Sequence, residues 1–272
     1  MIGFFEAIGS HAFLQNAILA GLLASVSCGV VGSYVVVKRM SFISGGIAHA
    51  VLAGMGLAYF FDFDPLYGAV PAALIFALII GWITLSGHAF TDTVIGALWA
   101  TGMAVGILFI SKTPGYATDL FSYLFGNILL VDRADVLILL TLDLVILGTV
   151  FSFYKGFLAV CFDEEFARLQ GVPVKALYIT LLCLIALTVV ILVKIVGIVL
   201  VIALLTLPAA IARQWTSCLG RMMIVGSCCG LVFTMSGLAV SYPYNLPGGA
   251  TIVIFAGLGF LLSTGAFSVL RR

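Results

Sequence analysis

Charged residues are scarce in this 272-residue sequence: Lys, Arg, Asp and Glu together make up 8% of it, against 63% hydrophobic residues. That balance excludes an ordinary soluble domain, and a net charge of +1 argues against a nucleic-acid partner. The phosphate-cradling pattern Gly-x4-Gly-Lys-Ser/Thr is absent, so the chain does not hydrolyse ATP by itself. His-Glu-x-x-His and Gly-x-Ser-x-Gly are absent too, which removes the usual zinc-peptidase and serine-hydrolase signatures. Six cysteines (Cys28, Cys161, Cys183, Cys218, Cys228, Cys229) form no Cys-x-x-Cys pair and read as small apolar fillers. The N-terminal Met1-Ile-Gly-Phe-Phe-Glu6 lacks the basic region of a cleavable signal peptide.

What the sequence has instead is a succession of continuous apolar runs, each long enough for ~30 Å of hydrocarbon. Continuous runs specify helices, where barrel strands would alternate. The reading is an all-α polytopic membrane protein with nine spans, or eight, near 14–37, 42–61, 66–86, 93–111, 134–154, 174–193, 195–212, 222–241 and 249–269. The uncertain one is 195–212, which follows its predecessor almost without a loop. Segment 116–131, with Asp119, Gly126 and Asn127, reads as a re-entrant or surface helix. With the N-terminus outside and the C-terminus cytoplasmic, Lys38, Arg39, Lys155, Arg168, Lys175, Arg213, Arg221, Arg271 and Arg272 face the cytoplasm. Only Lys112, Arg133 and Lys194 then lie outside, the expected positive-inside bias. Small residues at four-residue spacing (Gly102/Gly106, Gly226/Gly230, Ala50/Gly54) suit close helix contact in lipid.

One charged island interrupts the apolar pattern: Phe162-Asp-Glu-Glu-Phe-Ala-Arg-Leu-Gln-Gly171. Asp163 suits an N-cap, Glu164 and Glu165 suit the positive end of a helix dipole, and Arg168 suits its negative end. Gly171 can close the helix and Pro173 restarts the chain. Phe162, Phe166 and Leu169 make one apolar stripe on this two-turn helix near 163–170. A linker resting on lipid headgroups is the plainer reading. Two consecutive glutamates disfavour an anionic lipid surface, so a protein partner fits better.

Phe162-Asp-Glu-Glu-Phe-Ala-Arg-Leu-Gln-Gly-Val-Pro-Val174 resembles the coupling segment of permease subunits of ABC importers for zinc, manganese and iron. The resemblance extends over essentially the full chain. It includes Lys38-Arg-Met-Ser-Phe-Ile-Ser-Gly-Gly-Ile-Ala-His-Ala50, Ile95-Gly-Ala-Leu-Trp-Ala-Thr-Gly-Met-Ala-Val-Gly106 and Leu124-Phe-Gly-Asn-Ile-Leu129. It continues through Val196-Gly-Ile-Val-Leu-Val-Ile-Ala-Leu-Leu-Thr-Leu-Pro-Ala-Ala210 and Tyr242-Pro-Tyr-Asn-Leu-Pro-Gly-Gly-Ala-Thr-Ile-Val253. It implies a single permease domain over 1–272 with a fold like that of type II ABC importers, working as a homodimer in a bacterial or archaeal inner membrane. It also implies cytoplasmic ABC ATPase partners, an extracytoplasmic metal-binding receptor and a coupling helix formed by Asp163, Glu164, Glu165, Phe166, Arg168, Leu169 and Gly171. A divalent metal ion would be the transported substrate, with no permanently bound cofactor; zinc is expected first, then manganese or iron. A gradient-driven carrier and a non-transporting scaffold are the alternative classes.

His49, two turns into the second span and roughly 10 Å deep, is the candidate metal ligand of the translocation path, since imidazole suits Zn²⁺ well. In a homodimer two His49 side chains could meet near the two-fold axis. The bland alternative for a single intramembrane histidine is a helix–helix hydrogen bond. Family members often carry an aspartate four residues earlier, where this chain has Gly45, and the missing hard carboxylate tilts the expectation toward zinc. Asp143, in the middle of the fifth span, is expected to hydrogen-bond a neighbouring helix or be protonated. His11 and His88 read as solvated and Asp92 as an N-cap of the fourth span. Tyr116–Asp119, Asp62-Phe-Asp64 and Tyr242–Pro247 supply polar and aromatic character to the outer rim, for a receptor or simply for the membrane interface.

Overall fold

Asp64, Asp132 and Asp163 cap three helix starts, and Gly197 and Asn245 mark two stops, so these helices follow from local chemistry as well as from apolar length. A computed structural model describes residues 11–87, 91–113, 126–198 and 201–270, and every regular element among them is helical. Helix α1 (Ala12–Val37) is followed by α2 (Ser41–Ala50) and α3 (Leu52–Phe60), which share one pass, then by α4 (Pro65–Leu85) and α5 (Thr91–Ser111). A single 3-10 turn at Ile128–Leu130 leads to α6 (Arg133–Ser152), α7 (Tyr154–Phe162) and α8 (Glu164–Leu169). The chain ends with α9 (Val174–Val196), α10 (Val201–Trp215), α11 (Leu219–Tyr244) and α12 (Gly248–Leu270). Asp64 caps α4 by accepting the Leu66 N–H at 2.8 Å, with Pro65 at the first helical position. Asp132 and Asp135 form a reciprocal capping box on α6, and Asn245 closes α11 in the left-handed conformation, φ 50°.

Among the described residues eight helical segments are long and apolar enough to cross a membrane, the α2–α3 pair counting as one. The segments α1, α2–α3 and α9 are the most enclosed by neighbours, while α5 and α12 are the least, so the former make the centre and the latter face outward. Residue pairs fix the directions. Gly21 lies against Thr234 and Gly29 against Ser227, so α1 and α11 are antiparallel. Arg213 donates to the Val36 carbonyl at 2.9 Å, placing the end of α10 beside the end of α1. Lys194 pairs with Asp135 at 3.0 Å, joining the end of α9 to the start of α6 at the opposite end of the bundle. Lys38, Arg39, Lys155, Arg168, Lys175, Arg213 and Arg221 accordingly gather at the α8 end, with Lys112, Arg133 and Lys194 at the other.

Two expectations change. The span drawn at 195–212 is not a full-length helix. Residues 195 and 196 finish α9, Gly197 stops it at φ 81°, and the return pass is made by α10, 15 residues or about 22 Å. The described helices therefore make nine passes of alternating direction with only eight full-length segments. Gly126 (φ 68°) packs against the backbone of Val196 and Gly197, closely enough that a side chain there would collide with it. The fifth span ends at Ser152, and α7, absent from the sequence reading, follows it directly. Of segment 116–131, residues 116–125 lie outside the described residues, and the rest carries the buried Ile128, whose side chain lies 3.6 Å from where a Gly21 Cβ would be.

The small-residue pairs do bring backbones together. A Cβ on Gly102 would sit 2.7 Å from the Ala50 Cα, Gly226 faces Gly29, and Gly54 and Gly68 each abut the other's carbonyl oxygen. Gly68→Val is expected to lower the thermal midpoint of the detergent-solubilised protein by the ~1–3 kcal/mol or more that overpacking costs. Gly96→Ala, with no atom within 4 Å of the added carbon, should leave the midpoint unchanged or raise it slightly. Fluorescence-detected size exclusion after heating distinguishes them, and equal midpoints for both variants would contradict the packing described.

Candidate functional site

The island folds as its residue types dictate. The Asp163 carboxylate accepts the Phe166 N–H at 2.9 Å, with Glu164 and Glu165 in the first turn of α8 and Arg168 in the last. At the other end the Val172 N–H reaches the Ala167 carbonyl at 3.0 Å and the Gly171 N–H the Arg168 carbonyl at 3.1 Å, with Gly171 at φ 76°. That pair of bonds is a Schellman closure, which needs the left-handed residue that glycine supplies. Ala167 is fully buried, whereas Phe162, Phe166 and Leu169 are 68%, 58% and 87% exposed. Two large apolar side chains, Phe166 and Leu169, therefore project from a six-residue helix fastened at both ends, and Phe162, the last residue of α7, stands exposed just before it.

The same corner is tied to α1 by contacts that the sequence did not announce. Lys38 donates to the Val160 carbonyl at 3.2 Å and forms an ion pair with Glu164, while Tyr34, one helical turn earlier, packs its ring 5.5 Å from that of Phe157. Burial pushes the Cys161 thiol up to about 11 despite the nearby Lys38 ammonium, so this cysteine is a neutral filler at the joint. All six cysteines are free thiols.

His49 sits in the last turn of α2, eight residues from its start, and is 9% exposed. Its ring stacks on Trp99 of α5 with centroids 4.3 Å apart and planes 7° from parallel, and the Trp99 indole N–H points to the Met103 sulfur at 3.1 Å. No hydrogen-bond partner meets His49 Nδ1, so the helix–helix hydrogen bond is not what holds this side chain. The position four residues earlier is filled by a side-chain tip: a Cβ on Gly45 would sit 2.6 Å from Ile202 Cδ1 of α10, which would have to turn aside, and one on Gly46 would sit 2.5 Å from Ile95 Cγ2. Among the described residues no three His, Cys, Asp or Glu side chains lie together as a metal-binding group. Within one chain the arrangement is one ring nitrogen beside an aromatic plate, which chemically could give a metal ion a single, weak ligand.

The other singled-out residues separate. Asp143, 3% exposed on α6, accepts a hydrogen bond from Ser27 of α1, the neighbouring-helix partner expected of it. Asp92 lies within the first turn of α5, which starts at Thr91, and so acts on the helix dipole from inside the helix instead of as its N-cap. His11 precedes α1 and stacks on Phe13, centroids 5.4 Å apart, half-buried instead of fully solvated. His88 and Tyr116–Asp119 lie outside the described residues. Trp99, Ile202 and Lys38 all stood inside the quoted sequence blocks, but nothing in the one-dimensional pattern paired them with His49, Gly45 or Glu164.

The closed face beside His49 is testable. Gly45→Asp is expected to lower the thermal midpoint, since the carboxylate must displace Ile202 and lose water. Pairing it with Ile202→Ala should recover part of that loss. If Gly45→Asp alone melts like the parent, the contact with Ile202 is not restrictive.

The model of a family described as the ABC 3 transport family matches residues 10–266. A "Probable metal transport system membrane protein" of Chlamydia muridarum is 40% identical over 256 residues, 92% of this chain and 87% of the relative. The manganese transport system membrane protein MntC of Halalkalibacterium halodurans is 34% identical over 260 residues, 96% of this chain and 89% of the relative. The solved structure of PsaBC from Streptococcus pneumoniae in complex with Fab superposes with a TM-score of 0.88 at 33% identity, covering 96% of this chain and 94% of that one. Helix order, capped island and near-complete coverage agree, and the chain belongs to the ABC 3 transport family.

Proposed function

We propose that this chain is the membrane permease subunit of an ATP-driven importer that carries a divalent transition metal ion from an extracytoplasmic receptor to the cytoplasm. Two copies form the passage, and α8, with Asp163, Glu164, Glu165, Phe166, Arg168, Leu169 and Gly171, docks a separate ATPase. The observation that carries this reading is α8 itself. A helix capped at both ends that exposes Phe166 and Leu169 at the cation-rich end, with Phe162 exposed at the end of α7 beside it, is built to be covered by a protein. The gathering of seven basic residues at that end supports a cytoplasmic location for it. Zinc is the first substrate by ligand chemistry, because His49 is a nitrogen ligand whose neighbouring face holds Ile202 instead of a carboxylate. Manganese is the second, favoured by the name of the Halalkalibacterium relative.

Glu164→Lys with Arg168→Glu is expected to abolish co-purification of the ATPase while the spans still insert; undiminished co-purification would sink the docking role. In a strain deleted for this chain, rescue of growth and uptake is compared across zinc, manganese and iron. His49→Ala should lower uptake of the rescued metal by at least about tenfold, the scale on which losing a metal-shell group is felt. Rescue by none of the three metals would overturn the substrate class, and uptake indifferent to His49→Ala would remove it from the path.

A further inference from the structure

Helix α8 is short, and what matters for transport is how its displacement reaches the transmembrane body. Lys38 is the last residue before the α1–α2 turn, and its side chain is 15% exposed. The ammonium bonds the Val160 carbonyl in the final turn of α7 at 3.2 Å and the Glu164 carboxylate in the first turn of α8. One cation thus bridges the negative end of one helix and an acidic side chain at the start of the next, both favourable placements for it. Behind it, Tyr34 and Phe157 pack as a second, apolar fastening between α1 and α7. The turn beyond Lys38 is tight: Arg39 takes φ 57°, and the Met40 N–H bonds the Val35 carbonyl at 2.8 Å. That left-handed residue is held by the bonds that close α1, the Arg39 N–H reaching the Val36 carbonyl at 3.4 Å as well. Helix α2 starts one residue later and carries His49 eight residues on.

We propose that Lys38 is a positioning residue that passes movement of α8, through the α1–α2 turn, to the helix bearing His49. This rests on the reading of α8 as the ATPase-docking helix. When the docked ATPase closes and shifts α8, Glu164 and the end of α7 move together, and Lys38, bonded to both, carries the start of α2 with them. The helix is rigid over its ten residues, so a displacement at Ser41 is delivered to His49 and its stack on Trp99. Lys38 itself touches neither the metal nor the ATPase.

The test uses the whole complex of permease, ATPase and receptor in proteoliposomes, and reads metal transported per ATP hydrolysed. Lys38→Gln should leave the ATPase bound and hydrolysing while transport per ATP falls by about fivefold or more, the lower range of coupling between sites. Lys38→Arg, which keeps charge and donors, should restore most of it. An unchanged ratio in Lys38→Gln, a ratio that Lys38→Arg does not restore, or loss of ATPase in step with uptake would each overturn the proposal. The docking reading is tested separately by Phe166→Ala with Leu169→Ala, neither of which forms the Lys38 ion pair: if these leave the ATPase bound, docking through α8 fails whatever Lys38 does.

Discussion

Close backbone approach is the constraint on which the bundle depends. In lipid an apolar side chain gains little by leaving one hydrocarbon surface for another, so helices are held by contact area and by polar groups that find partners. Here the area comes from small residues in register. Gly29 against Gly226, Gly54 against Gly68 and Gly102 against Ala50 let α1 meet α11, α3 meet α4 and α5 meet α2 without side chains between them. The position of His49 is a product of that arrangement, because Gly102 seats α5 on the end of α2 and thereby brings Trp99 over the imidazole. Were α5 held one side-chain layer away, the histidine would lose its aromatic cover.

Polar groups inside the bundle obey the same economy. Asp143 has Ser27 on the facing helix, and Lys194 has Asp135, which also closes the capping box at the start of α6. His49 departs from the pattern, as do the Tyr34 and Thr84 hydroxyls: its Nδ1 has no partner and a stacking contact is its main tie. A buried polar atom without a partner is costly in a membrane. Asp143 is thus held as part of the architecture, while His49 keeps one ring nitrogen uncommitted, in keeping with the role proposed for it.

Much of the fold was legible in the sequence because span length and glycine spacing are one-dimensional signals. The α8 boundaries were legible for the same reason: Asp163, Gly171 and Pro173 act on their own few neighbours. What the sequence did not disclose depends on packing between distant segments. Gly197 looked like one more glycine in an apolar run, and only its positive φ reveals where α9 stops and why α10 is short. Gly45 looked like a missing ligand, yet the space is filled by Ile202 from more than 150 residues away in the chain. Lys38 counted as one basic residue in an orientation bias, and its bridge between α7 and α8 required both helices to be in place.

The interruption between α9 and α10 bears on how the molecule is assembled. At the end of the bundle where Lys194 meets Asp135, Gly197 stops α9, and the strip around Gly126 and Ile128 lies against Val196, Gly197 and the flank of α1. The strip is translated some seventy residues before the backbone it covers, and α1 earlier still. A ribosome delivering the chain in order therefore presents the cover before the helix stop that it packs against.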